Sequence, residues 1–223
     1  MGKKEKLFIL WAVSALFLVI IISTFFGTSF PMFTIIWISV PLIAVIRKKD
    51  ASITGFRQVP INELIKFTLI NLGLTLLIYG IFEPWSHTYQ ELLKIITGSR
   101  TPDVTFIWLT KYSGTKAWLS MLLFSGFVTL FGEEIFFRGW LLQYLKKRIN
   151  TNWAIIIQSA IFIIPNTLVA FFMIPLQGVL YTVIYTGVAI GIVGGWTAKR
   201  TNSIWPSLIS ASIVNLLAVL LLN

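Results

Sequence analysis

The sequence contains no cysteine and a single histidine, His87, among 223 residues. Without thiols it can form neither a disulfide framework nor a thiolate nucleophile or metal ligand. One imidazole excludes any centre that draws two histidines from this chain. Charge is also scarce: Asp, Glu, Lys and Arg together make up 12% of the residues, where a soluble domain carries about a quarter. No internal repeat and no low-complexity tract is visible. That argues for one membrane unit and against a transporter built from inverted repeats.

What the sequence has in excess is apolar. Hydrophobic residues make up 57% and the mean hydropathy is +0.85. A soluble chain could not bury so much apolar surface, so the solvent around it must be lipid. The 18 Phe and 9 Trp fit this, because aromatic rings collect where water meets lipid. The formal charge of +10 raises the question of nucleic acid. The basic residues, however, stand in short clusters between apolar stretches and form no continuous face. Nucleic acid is excluded as a partner, and the lipid bilayer is expected instead.

Seven stretches approach the about 20 residues needed to cross a hydrocarbon core as a helix: 7–26, 29–46, 64–85, 117–137, 151–173, 177–197 and 204–222. The fold expected is an all-α, polytopic bundle of seven membrane helices, or eight elements if 133–148 forms a separate amphipathic helix. The first stretch is too long for a signal-peptide core and has no small-residue cleavage site behind it, so it reads as a retained helix. With the N-terminus in the cytoplasm, Lys3, Lys4, Lys6, Arg47, Lys48, Lys49, Arg57, Lys146, Lys147, Arg148, Lys199 and Arg200 share one side. Lys94, Arg100, Lys111 and Lys116 fall on the other, in one external loop at 86–116 with a short helix expected at 89–97. That asymmetry predicts a multi-pass protein of the plasma membrane, N-terminus inside and C-terminus outside. Residues 48–63 read as a cytoplasmic loop. The chain divides into N-terminal helices plus external loop, 1–116, and a helical core, 117–223, within one membrane domain.

Glu133 and Glu134 differ from the other acids because they follow the apolar run Met121–Phe131. Ionisable groups at such depth cost about 2.5–3.5 kcal/mol each on insertion, so a role is the first reading. On a helix Glu134 and Arg138 stand at i and i+4, where a carboxylate meets a guanidinium. Glu133 lies about 100° away round a regular helix. One acid is then neutralised and the other is left to face a polar cavity, the division of roles a general base requires. The plainer alternative is a helix-end ion pair. Gly187, Gly191, Gly194 and Gly195 read as a close-packing stripe, and Gln158 as an interhelical hydrogen bond.

The run Phe131-Gly132-Glu133-Glu134-Ile135-Phe136-Phe137-Arg138-Gly139 resembles the E-E-x-x-x-R signature of the CPBP family, also called Abi, of CAAX-type prenyl endopeptidases and bacteriocin-processing or immunity proteins. Thr201-Asn202-Ser203-Ile204-Trp205-Pro206-Ser207 is similar to the family's T-G-S-L-W-P-S, with Asn215 where the last motif, H-x-x-x-N, ends. Ser159-Ala160-Ile161-Phe162 resembles the approach to its middle motif, F-x-x-x-H. The similarity covers about 117–222. It implies an intramembrane endopeptidase core in which a first-motif glutamate and two histidines meet at a cytoplasm-facing cavity. Here those histidine positions are Asn166 and Ala211.

The set carried over is therefore Glu133, Glu134, Arg138, Asn166 and Asn215. Asparagine can hold a water or a carbonyl but cannot exchange a proton near neutrality, and it is a poor zinc ligand. No cofactor is expected, zinc included. His87, placed in the external loop, cannot substitute. A glutamate activating water with two asparagines around an oxyanion is the chemistry that remains. Losing one acid–base group costs about 10²–10⁴-fold in rate. Pro165 is expected to break its helix and open the backbone towards the cavity.

Three functions follow. The first is a glutamate-dependent endopeptidase acting on a membrane-associated peptide or protein substrate, with degenerate or absent activity. The second is a non-catalytic relative that binds a membrane partner, such as an immunity factor or a regulator of a sensor kinase. The third is a small transporter.

Overall fold

A computed structural model describes residues 2–26, 32–82, 131–173 and 176–222, and all the regular structure among them is helical. Helix α1 is Lys3–Phe26, α2 is Met32–Lys48 and α3 is Ile61–Phe82. Helix α4 covers 131–146, α5 is Thr151–Met173, α6 is Leu176–Thr201 and α7 is Trp205–Leu222. His87, the expected loop at 86–116 with its short helix, and the first part of the fourth stretch lie outside the described residues.

Two of these helices, α3 and α6, are long and apolar enough to cross a membrane. Their surroundings agree with a lipid solvent: Leu69, Leu77 and Ile81 of α3 and Leu7, Leu10 and Phe17 of α1 point outward. Polar side chains occupy part of the interior instead. Helices extend past the apolar stretches where solvated residues carry them on. Helix α3 starts at Ile61, not 64: the Leu64 amide donates to the Pro60 carbonyl at 2.9 Å, and Glu63 in the first turn complements the helix dipole.

Helices α1 and α2 pair through Phe8, Ala12 and Ala15 against Ile38, Leu42 and Val45, both sets at helical i, i+4, i+7 spacing. The alanines let the backbones approach. Ile135 of α4 and Ile204, just before α7, complete this core. Helix α3 packs on α6 and α7, and α5 packs on α6. Helix α5 runs unbroken through Pro165. The expected break does not form, since a proline inside a long apolar helix forgoes one backbone bond while its neighbours keep theirs.

The segment read as a loop at 48–63 is largely shaped by capping. Lys49 has a positive φ of 51°. Asp50 then accepts from the Ser52 amide at 2.8 Å and starts a 3₁₀ turn, Ala51–Thr54, closed by Gly55 at φ 76°. The start of α1 is tied here too, with the Ala51 amide donating to Glu5 Oε1 at 3.4 Å. Ser203 Oγ donates to the Arg57 carbonyl at 2.8 Å, and Lys199 Nζ to Asn152 Oδ1 at 2.9 Å. The basic clusters of α1, the 48–57 segment, the end of α4 and the end of α6 thus gather at one end of the bundle.

Candidate polar core on the fourth helix

Helix α4 changes pitch where its charges begin. Phe131–Glu133 is α-helical and Glu134–Leu141 is a wide π segment, a geometry concentrated at functional positions. Glu134 and Arg138 stay on one side of it, with Oε1 and Nη1 3.4 Å apart. They are 2% and 1% exposed.

Four further groups close around the pair. Ser207 Oγ, from α7, donates to Glu134 Oε2 at 2.6 Å. Arg138 Nη2 donates to the Ile190 carbonyl of α6 at 2.6 Å. The Phe162 ring of α5 lies 5.0 Å from the guanidinium carbon, within cation–π range. Gly194 leaves room for the group: a methyl there would stand 3.2 Å from Arg138 Nε. Beside them Gln158 Nε2 donates to the Gly191 carbonyl at 3.0 Å and to Ser159 Oγ at 2.7 Å.

The acceptors Ile190 and Gly191 are consecutive, near the end of the second π segment, Val183–Ile192. A π turn bonds i to i+5, so on returning to α successive carbonyls compete for one N–H and one is freed. Side-chain donors from α4 and α5 take them up. The expected packing role of the glycine stripe is seen at Gly187, against Ile163, and at Gly191, against Ser159. Gly194 and Gly195 have a more specific function, making space for Arg138 and Gln158.

Burying an ion pair is unfavourable unless its remaining lone pairs and protons are met. Here both carboxylate oxygens are engaged. Arg138 Nε, Arg138 Nη1 and Gln158 Oε1 make no hydrogen bond, so the cation is only part satisfied. Through Ser207 on Glu134, and the Ile190 carbonyl on Arg138, the pair ties α4 to α7 and α6. Glu133 sits at the junction of the two pitches and is half-buried. It makes an interaction of its own.

Asn166 lies on α5 one turn beyond Phe162, and Ala211 and Asn215 lie one and two turns beyond Ser207 on α7. Both helices reach the ion pair through the preceding turn. Ala211 is half-buried; the side chains of Asn166 and Asn215 are outside the described residues. No group of three His, Cys, Asp or Glu side chains clusters among the described residues. The donor set does not fit zinc, because it lacks nitrogen and sulfur ligands and Glu134 already has a guanidinium as its counter-cation.

The rest of the motif residues are structural, for identifiable reasons. A methyl on Gly139 would collide with the Thr54 carbonyl, so only glycine lets the 51–55 turn lie on α4. Asn202 is left-handed, φ 53° and ψ 28°, and ends α6. Asparagine is the residue that best replaces glycine there. The Ile204 amide donates to the Gly55 carbonyl at 3.0 Å, fixing where α7 begins.

Sequence reading missed a second buried polar group. Asn71 Nδ2 donates to Thr197 Oγ1 at 3.2 Å, and Ser210 Oγ donates to Asn71 Oδ1 at 3.2 Å, joining α3, α6 and α7. Thr68, Asn71 and Thr75 form a polar stripe at i, i+3, i+7 on an apolar helix. That pattern is a legible signal of interhelical bonding.

Residues 115–217 match the model of the family described as Type II CAAX prenyl endopeptidase Rce1-like. The resemblance carried by the three motifs holds over that region. The matched family is membrane-embedded, in agreement with the apolar helices. No curated protein and no solved structure matches the chain.

Proposed function

We propose that this membrane protein, similar over residues 115–217 to type II CAAX prenyl endopeptidases, uses its retained family core to hold a membrane-associated peptide or protein rather than to cleave it. The observation that carries this reading is the Glu134–Arg138–Ser207 assembly, in which the motif carboxylate is spent on holding helices together. The two positions that would supply histidines are Asn166 and Ala211, and neither can move a proton. Glu133, half-buried beside the pair, supports a second reading, residual water activation without metal. The rest of the proposal follows the basic asymmetry: one bundle of seven helices in the plasma membrane, N-terminus and basic end in the cytoplasm.

The test is a cleavage assay on purified protein with isoprenylated C-terminal peptides and a chelator, alongside Glu133→Gln. No cleavage by either, with peptide binding retained, is the expected result. Cleavage by the wild type that Glu133→Gln abolishes would establish the second reading instead.

A further inference from the structure

The basic end of the bundle contains more cations than its local acids balance. Arg57 follows the 3₁₀ turn, Lys146, Lys147 and Arg148 end α4, and Lys199 and Arg200 end α6. Among the described residues none of these six forms an ion pair with a carboxylate, and the buried Glu134–Arg138 pair takes no part here. Asp50 is the acid that feels Arg57 and Lys147, and Ser52 already donates to it. Partial burial, then the charges of Arg57 and Lys199, push the Lys146 amine below its ordinary value. The ends of α4 and α6 pack together on the start of α5 through Leu142, Ala154, Ile155 and Ala198. Ser203, just after α6, donates to the Arg57 carbonyl, so cations from three elements gather at one place, where their like charges repel.

Their surroundings are amphipathic. Lys199 Nζ is oriented by Asn152 Oδ1 at 2.9 Å. The next residue, Trp153, is 62% exposed, and Ile149 is also exposed. An indole and an aliphatic side chain beside a cation cluster suit a molecule with a phosphate and acyl chains.

We propose that Arg57, Lys146 and Lys199 form a binding site for the headgroup of an anionic phospholipid, with its chains against Ile149 and Trp153. The site is independent of any role of the buried core. The bound phosphate would replace repulsion by attraction and pin the ends of α4 and α6 to the loop before α3.

The experiment uses the purified full chain in nanodiscs of phosphatidylcholine with or without phosphatidylglycerol, reading retained lipid by native mass spectrometry and the unfolding temperature. The wild type is expected to retain phosphatidylglycerol and unfold at a higher temperature in its presence. Lys146→Gln with Lys199→Gln should lose that preference about tenfold. Lys146→Arg with Lys199→Arg should keep it, as should Lys3→Gln with Lys4→Gln, which removes the same charge elsewhere. Equal loss in the Lys3/Lys4 variant would reduce the effect to diffuse attraction and overturn the site. Equal stabilisation by inorganic phosphate in phosphatidylcholine alone would also overturn it. Should the double glutamine variant fail to fold, Lys199→Gln alone, which preserves a donor to Asn152, gives the same reading.

Discussion

Ser207 donates its hydroxyl to Glu134 across 2.6 Å, joining two helices whose contact residues are 73 apart in the chain. The serine closes the second side of a carboxylate whose first side faces Arg138. A buried acid in this position is part of the scaffold before it is part of any reaction. A bond to an ionised group contributes about 1.5–3 kcal/mol. Ser207→Ala should therefore lower the unfolding temperature measurably in detergent, and a shift no larger than that of Ser212→Ala, whose hydroxyl bonds its own helix at Leu208, would remove this role.

The ion pair should behave as a unit. Glu134→Gln or Arg138→Met alone leaves one buried group without its partner, at about 3–5 kcal/mol. The double variant should be less destabilised than the sum of the singles. Strict additivity in a thermal double-mutant cycle would show that the pair is not coupled.

Two glycines make opposite predictions. Gly139→Ala drives a methyl into the Thr54 carbonyl and should cost at least the about 1–3 kcal/mol of ordinary overpacking. Gly73→Ala, on α3 with open space around it, should stabilise the helix by up to about 1 kcal/mol. Unfolding midpoints of both variants decide the matter.

The left-handed end of α6 makes a prediction about residue 202. Asn202→Gly should be neutral or slightly stabilising, and Asn202→Val should cost about 1–2 kcal/mol. Equal stability of the two would mean that the φ of 53° is not maintained in solution.

The Lys146 amine is pushed down, first by burial and then by Arg57 and Lys199. Its folded value lies below the unfolded one, so between the two the unfolded chain binds more protons and stability rises with pH. The penalty is fully present at neutral pH and disappears above the unfolded value of about 10.4. In a zwitterionic detergent Lys146→Gln should be slightly stabilising at pH 7, an advantage that fades as pH climbs towards that value. The effect is small because the amine is only partly buried. An advantage unchanged across that range would sink the explanation.

Much of the site was legible in order along the chain. Glu134 and Arg138 pair because they stand four apart on one helix, and the motif order marks α4, α5 and α7 as its walls. That Asn166 and Ala211 stand where the resemblance implies histidines is visible without any coordinates. The change of pitch in α4 and α6 was not legible, because no local residue type demands it. Helix α5 also ran through Pro165, where local reading expected a break.

The sequence by itself determined the apolar helices, the basic clusters between them and the i, i+4 placement of Glu134 and Arg138, because each depends on residue type and near-neighbour spacing. Tertiary structure decided what surrounds Glu134 and Arg138. Ser207, the carbonyls of Ile190 and Gly191, and the Asn71–Thr197–Ser210 group meet only when distant helices pack. A buried polar atom takes its partner from whichever neighbour comes within hydrogen-bond reach, and over such separations packing alone fixes that neighbour.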